Sequence, residues 1–214
     1  MTDAADPAEL EDLLRRYSGS VAFDIGAHVG YTADLLSESF ELVVACEPHP
    51  VSYAALSKRA FTRRVETHPL AVDDTGGWTP VQCRSVKDID GQYTNAAAPW
   101  PEWGEVQRRL RVRSTTVDQL REIHGPPDLL KIDVEGGELR VVNGAQWTLQ
   151  QDRPDLYIEV HGEKLGAEIR RLLEPLYPPH PVSGLRVVPH PHYEPGSWHA
   201  ENHYWLISGP AAGW

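Results

Sequence analysis

Three acidic segments of this sequence each follow a short apolar run, and each could do chemistry on a ligand. The first is Phe23-Asp24-Ile25-Gly26-Ala27-His28-Val29-Gly30, in which two glycines stand four residues apart behind an acid. Gly26 allows a tight turn close to a ligand, Gly30 allows tight packing of a helix on a strand, and the N–H groups that open the helix suit an anion. A dinucleotide site would have glycine where Asp24 stands, whereas an acid there suits the ammonium group of an amino acid. A strand–turn–helix without a ligand is the alternative for this segment alone.

The second segment is Cys46-Glu47-Pro48-His49-Pro50, directly after another apolar run. Glu47 stands about 20 residues past Gly26, where an acid can bind both hydroxyls of a ribose. Pro48 offers a flat apolar surface to a purine. Alone, Glu47 could equally be a solvated acid at a strand end, but the two segments together favour a binding site.

The third segment, Lys131-Ile132-Asp133-Val134-Glu135-Gly136-Gly137-Glu138, places three acids behind an apolar strand. Charges in such a place are costly unless they are paired, solvated or bound to something. Asp133 and Glu135 stand two residues apart, so both would face one site if the strand continued to Glu135. Glu138 is expected in the first turn of the next helix, where the helix dipole stabilises it, and a structural role is favoured.

The elements that must position these segments alternate between strands and helices. Apolar runs predict strands at 21–25, 41–46, 64–72, 112–115, 129–132, 156–160 and 204–207. Helical spacing and capping signals predict helices from Pro7 and at 31–37, 50–60, 117–124, 137–150 and 163–173. This alternation predicts the α/β class, with a mostly parallel sheet, helices on both faces and a ligand at the carboxyl ends of the strands.

The domain organisation expected is a single domain over 1–214, with a core at 21–160, an inserted region at about 76–111 and a C-terminal segment at 175–214. In the insertion, Tyr93, Trp100 and Trp103 could form a lid over a sugar ring or an anchor for a long loop. The C-terminal segment is rich in histidines that are expected to be loop residues rather than metal ligands: His180, His190, His192, His199 and His203.

Composition excludes several classes of protein. The formal net charge of −11 argues against a protein that binds nucleic acid. Two cysteines are too few for a disulfide framework or a thiolate zinc site. The chain opens without a signal peptide, and no apolar stretch approaches the roughly 20 residues that span a bilayer. A cytoplasmic protein without a membrane partner is expected.

The three segments in this order, with Thr115-Thr116-Val117-Asp118-Gln119-Leu120 before the third, resemble the FkbM family of S-adenosylmethionine-dependent methyltransferases. The resemblance runs from about Val21 to Val160, and its most specific part is Lys131 to Glu138, followed by Val142-Asn143-Gly144. The family typically has asparagine where this chain has His28 and His49.

The resemblance implies a Rossmann-like class I methyltransferase fold, S-adenosylmethionine as cofactor, and O-methylation of a sugar or another small-molecule hydroxyl acceptor. It implies that the methionine end of the cofactor lies near Asp24, Gly26, His28 and Gly30. It assigns the ribose to Glu47, and the adenine to Pro48 and Ala71. It places Asp133, Glu135 and His161 towards the acceptor.

Methyl transfer to an alcohol needs a base or a metal ion, because a hydroxyl is a weak nucleophile at neutral pH. His161, directly after the strand that ends at Val160, is the favoured general base. The alternative is Mg²⁺ bound by Asp133 and Glu135. Two other functions stay open: a nicotinamide-dependent oxidoreductase, which Asp24 disfavours, and a catalytically inactive adenosyl-binding domain.

Overall fold

The computed structural model describes residues 7–83, 93–95, 108–178, 184–189 and 203–209. The helices are α1 (Pro7–Leu14), α2 (Tyr31–Leu36), α3 (Pro50–Leu56), α4 (Val117–His124), α5 (Glu138–Asn143), α6 (Gln146–Gln151) and α7 (Glu163–Leu173). The strands are β1 (Gly19–Ile25), β2 (Phe40–Cys46), β3 (Arg64–His68), β4 (Ala71–Val72), β5 (Gly77–Cys83), β6 (Tyr93–Asn95), β7 (Arg108–Thr115), β8 (Leu129–Ile132), β9 (Asp155–His161), β10 (Arg186–Pro189) and β11 (His203–Ile207).

Seven of these strands form the main sheet, in the order β10-β11-β9-β8-β1-β2-β3. Strands β3, β2, β1, β8 and β9 are parallel, and β11 and β10 add an antiparallel edge. Because β1 pairs with β2 on one side and with β8 on the other, strand order reverses at β1. The carboxyl ends of these three strands therefore meet where such sheets bind ligands, and the predicted α/β class is confirmed.

The core lies on both faces of this sheet, because successive side chains of a strand point to opposite faces. On β1, Phe23 and Ile25 belong to one buried cluster, which the helices α4 to α7 cover. Ala22 belongs to a second cluster, which α1 to α3 cover. In the described part of the chain, no helix is long and apolar enough to cross a membrane.

The predicted insertion contributes to a second sheet, of four strands in the order β4-β7-β5-β6. Strand β7 begins at Arg108 rather than at Val112, and it pairs along β5 from Gly77↔Ser114 to Cys83↔Arg108. The region is therefore more regular than its weak periodicity predicts, because main-chain pairing in a hairpin extends beyond the apolar residues. Arg140 of α5 ties this sheet to the core through ion pairs with Asp73 and Asp74 at 3.1 and 2.8 Å.

Two predicted elements are each divided in the structure. The helix expected at 137–150 is two helices, α5 and α6, broken at Gly144-Ala145. A Cβ atom at Gly144 would overlap the carbonyl oxygen of Asp73, so the break seats this glycine directly against the backbone that leads to the second sheet. The strand expected at 64–72 is β3 and β4, which belong to different sheets.

Candidate active site

Asp24 is fully buried where β1 ends, and its partner is a lysine of the neighbouring strand. Lys131 Nζ lies 2.9 Å from Asp24 Oδ1 and donates a hydrogen bond of 2.9 Å to the carbonyl oxygen of Gly26. Burial raises the pKa of Asp24, and the Lys131 ammonium acts against that shift. One buried cation thus holds both the acid and the turn that follows it. The predicted contact between Asp24 and a ligand ammonium stays a prediction.

The turn after β1 lies against the loop after β8. Gly26 has φ 81°, and a Cβ atom there would overlap the carbonyl oxygen of Asp133. Only glycine allows the two backbones to approach this closely. The first and third acidic segments are therefore in direct contact at the carboxyl edge of the sheet.

Glu47 joins the loops that follow β1 and β2. Its carboxylate is fully buried, with Oε2 accepting from the backbone N–H of His28 at 2.9 Å and Oε1 from that of His49 at 2.7 Å. Glu47 therefore bridges the two loops through its two oxygens.

The two histidines that replace the family's asparagines take over positions suited to asparagine. His28 has φ 49°, in the left-handed region where asparagine, aspartate and histidine are enriched. His49 is the N-cap of α3, and its Nδ1 accepts from the backbone N–H of Ser52 at 3.4 Å. Both departures from the family pattern thus keep the local backbone.

A small, partly open apolar pocket lies between these loops. It is lined by Ile25, Gly26, Cys46, Pro48, Leu70, Ala71, Val72, Val81 and Val134. The pocket brings together three residues that the sequence assigned to a cofactor: Gly26, Pro48 and Ala71. It also includes Val81 of β5, so the second sheet supplies part of its wall.

His161 lies at the end of β9 among three carboxylates. Its Nδ1 is 2.9 Å from Glu138 Oε1, and its Nε2 is 3.6 Å from both Glu135 Oε2 and Glu159 Oε1. Strand β8 ends at Ile132, as predicted, and does not continue to Glu135, so Asp133 and Glu135 do not face one site as residues of a strand. Instead, Glu135 has φ 55°, and this turn of the backbone brings its carboxylate to His161. We name Glu135, Glu138, Glu159 and His161 the acid cluster.

Charge in the acid cluster shifts two pKa values upwards. Burial would lower the pKa of His161, but Glu138, Glu135 and Glu159 outweigh it and hold that pKa well above 6.5. Burial, with Asp133, Glu159 and Glu138 nearby, raises the pKa of Glu135 to about 8 despite the opposing effect of His161. The carboxylates therefore favour the protonated form of His161, and the pKa of Glu135 lies close to neutrality.

A possible metal donor set at this site is Asp133, Glu159 and His161, whose ligand atoms lie within 4.8 Å of one another. The metal alternative in the sequence analysis predicts Asp133 and Glu135 as the ligands of Mg²⁺. Because Mg²⁺ prefers oxygen ligands and one of these three donors is an imidazole nitrogen, this set does not favour Mg²⁺.

Sequence reasoning missed three members of the site. Lys131 is a charged residue inside an otherwise apolar strand, which was a signal for a buried partner. Glu138 lies in the first turn of α5 as expected, but it also accepts from the N–H of Gly136 at 2.9 Å and contacts His161. Glu159 alternates with buried neighbours on β9, a pattern typical of any half-exposed strand residue.

The predicted aromatic lid and the histidine-rich segment fall mainly outside the described residues. Trp100 and Trp103 lie there, as do His180, His190, His192 and His199. Tyr93 and His203 belong to β6 and β11.

The sequence matches the family model of the methyltransferase FkbM domain over residues 24–177. Among solved structures, the chain is similar to methyltransferase FkbM from Methylobacillus flagellatus KT, with a TM-score of 0.58 and 17% identity over 88% of this chain. That match covers 43% of the other protein, so this chain spans less than half of its length.

Two further structures match over almost their whole length. An rRNA methylase from Streptococcus thermophilus has a TM-score of 0.54 and 12% identity, covering 96% of this chain and 97% of its own. A Streptococcus mutans protein described as a methyltransferase, in complex with SAH, has a TM-score of 0.54 and 11% identity, covering 95% of this chain and 98% of its own. A search among curated proteins found no match.

At these identities the structures show the fold, which is the predicted class I fold of S-adenosylmethionine-dependent methyltransferases. The family model covers most of the sequence, including all three acidic segments except Phe23. This chain belongs to the FkbM methyltransferase family.

Proposed function

We propose that this chain transfers the methyl group of S-adenosylmethionine to a hydroxyl group of a sugar or another small-molecule acceptor. The observation that carries the proposal is the backbone contact between Gly26 and Asp133, because it joins the pocket to the loop that carries Glu135. Membership of a methyltransferase family argues against the nicotinamide-dependent alternative.

The pocket residues suit the nucleoside part of the cofactor. Pro48 and Ala71 offer apolar surface to adenine, and the Glu47 carboxylate is the acceptor for the ribose hydroxyls. Asp24 is fully buried against Lys131, so we assign it to holding the Gly26 turn on which the methionine end of the cofactor rests.

The acid cluster suits the proton transfer that the reaction requires. The acceptor oxygen attacks the methyl carbon, the C–S bond breaks with its electron pair passing to sulfur, and the hydroxyl proton must leave. We assign that proton to Glu135, because a base works best when its pKa lies near the working pH. The sequence favoured His161, but an imidazole that is already protonated cannot accept a proton. His161 then orients Glu135, and Glu138 holds His161 in place.

The function is tested by titrating S-adenosylmethionine into the protein by calorimetry and measuring methyl transfer over a panel of acceptors. The panel includes sugars, other small alcohols and an oligoribonucleotide, since one protein of similar fold is an rRNA methylase. Transfer to hydroxylated small molecules is expected. Cofactor binding without transfer to any acceptor would instead support the inactive adenosyl-binding domain.

Glu135→Gln tests the assignment of the base. We expect turnover to fall by roughly 10²–10⁴-fold with an unchanged Kd for S-adenosylmethionine, because general bases contribute about that much. Wild-type turnover should rise with pH through a single ionisation near 8. The exposed Glu174→Gln is the matched control and should behave as wild type.

Two outcomes would overturn this assignment. Turnover that survives Glu135→Gln but is lost in His161→Ala would return the role of base to the imidazole. Loss of turnover in excess chelator, restored by Mg²⁺, would favour the metal alternative with Asp133 and Glu135 as ligands.

A further inference from the structure

We propose that Glu66, His68 and His124 form a binding site for a divalent transition-metal ion such as Zn²⁺, separate from the active site. One oxygen or ring nitrogen from each residue lies within 4.8 Å of the corresponding atoms of the other two. We name these three residues the edge site, because β3 is the last strand of the main sheet.

The fold brings the three side chains to one place. Glu66 and His68 stand two residues apart on β3, so their side chains share one face of the sheet. Their register partners, Val44 and Cys46 of β2, belong to the buried cluster that α4 covers. His124 is the last residue of α4, and its ring contacts that of His68 with centroids 5.3 Å apart.

The donor set is suited to a transition metal. Two imidazoles and one carboxylate, with water in a fourth position, are a common zinc arrangement, whereas Mg²⁺ prefers oxygen ligands alone. In a tetrahedral site with bonds of about 2.0–2.1 Å, neighbouring ligand atoms are about 3.3 Å apart. His124 Nδ1 and Glu66 Oε2 already lie 3.2 Å apart.

A buried nitrogen of His68 is a second observation that supports the proposed metal site. Its Nε2 is buried and has no hydrogen-bond partner among the residues that the structure describes. A buried polar atom without a partner costs on the order of 1–3 kcal/mol, and such atoms are rare in native proteins. A bound ion would satisfy this nitrogen.

The neighbours of His124 in the edge site act on its pKa in both directions. Burial lowers the pKa of His124, and His68 and Arg64 lower it further against the opposing effect of Glu66. A metal ligand must be neutral imidazole, which a lowered pKa favours. Arg64 also pairs with Glu66, but its side chain is 71% exposed and can turn into solvent.

None of the three edge-site residues lines the cofactor pocket, although His68 pairs with Cys46, which does. Glu66 lies in the row of Val44 and Phe23, two residues below the carboxyl ends of β1 and β2. A bound ion would pin β3 to α4. Its effect should therefore appear as stability of the fold and not depend on whether the protein transfers methyl groups.

The test uses protein freed of metal by a chelator and then dialysed. Titration with Zn²⁺ in a calorimeter should reveal a tight site of one ion per chain, which His68→Ala and Glu66→Gln each weaken by about 100-fold or more. Loss of outer-shell partners alone costs 10–100-fold, and these are direct ligands. In wild type, Zn²⁺ at about a hundredfold excess over its Kd should raise Tm by about 5–10 °C. Mg²⁺ should not raise it.

Two control variants separate the edge site from other donors. Asp133→Asn removes a donor of the second candidate group, and a His190→Ala, His192→Ala double variant removes histidines of the C-terminal segment. Both controls should keep the tight site. The proposal is overturned if wild type shows no tight site, if His68→Ala and Glu66→Gln keep it, or if either control variant loses it. Circular dichroism checks that each variant is folded. If His68→Ala does not fold, Glu66→Gln, at a partly exposed position, provides the test.

Discussion

The two halves of the candidate active site differ in the partners of their buried carboxylates. On the cofactor side, Asp24 has Lys131, and Glu47 has two backbone N–H groups. On the acceptor side, Glu135, Glu138 and Glu159 all lie around the imidazole of His161, and Glu138 also accepts from a backbone N–H group. Glu135 also has a left-handed backbone, which costs energy for a residue with a Cβ atom.

Under the proposed function, this difference separates the residues that hold the loops from the residue that accepts a proton. Lys131 and the backbone N–H groups fix the loops around the pocket by holding Asp24 and Glu47. Burial and the neighbouring carboxylates of the acid cluster raise the pKa of Glu135 to about 8, where a small change of environment changes its protonation state. Perturbed pKa values of this kind are typical of sites that transfer protons.

Removing one partner of the compensated pair should have the largest effect on stability. Lys131→Met leaves Asp24 buried without a cation, and we expect a loss of about 3–5 kcal/mol in the free energy of unfolding, measured by urea titration. The Asp24→Asn, Lys131→Met double variant should recover much of that loss, because it leaves no buried charge. A loss below about 1 kcal/mol in the single variant would show that the cofactor side does not depend on this pair.

Glu47→Ala should have the next largest effect, on cofactor affinity. It removes the acceptor of the ribose hydroxyls, and hydrogen bonds to a charged group contribute about 1.5–3 kcal/mol, so the Kd for S-adenosylmethionine should rise about tenfold or more. Calorimetry measures the change, with the exposed Glu41→Ala as control. An unchanged Kd in a folded Glu47→Ala would remove Glu47 from the cofactor site.

The smallest expected effect is a change in how stability depends on pH. The pKa of Glu135 rises from 4.5 in the unfolded chain to about 8 in the fold, so the native state binds more protons between these values. This contribution to stability is complete below pH 4.5 and is lost as pH rises through 8. His161, whose pKa is also raised, acts in the same direction above pH 6.5.

Glu135→Gln should therefore lose less stability than wild type between pH 6 and pH 9, as measured by thermal unfolding at several pH values. Glu174→Gln is the control and should keep the wild-type dependence. Equal dependence in all three proteins would mean that Glu135 is not perturbed by its neighbours.

The sequence predicted those parts of the molecule that depend on local pattern. The run from Phe23 to Gly30, the acid at Glu47 and the pocket residues Pro48 and Ala71 lie together as expected, because strand ends of a parallel sheet meet at one edge. The charge state of His161 could not be predicted, because it depends on Glu138, which is 23 residues away along the chain. Nor could the break at Gly144, which reflects a contact with the backbone of Asp73 on another element.

Under the proposed function, the contact between Gly26 and Asp133 couples the binding of S-adenosylmethionine to the binding of the acceptor. The backbones of the two loops touch, so a displacement of one is felt by the other. S-adenosylmethionine that shifts the Gly26 turn thereby changes the affinity for the acceptor. Coupling between two equilibria is reciprocal, and the acceptor must change the affinity for S-adenosylmethionine by the same factor. Methyl donor and acceptor are then linked ligands, and neither dissociation constant has a single value unless the concentration of the other ligand is stated.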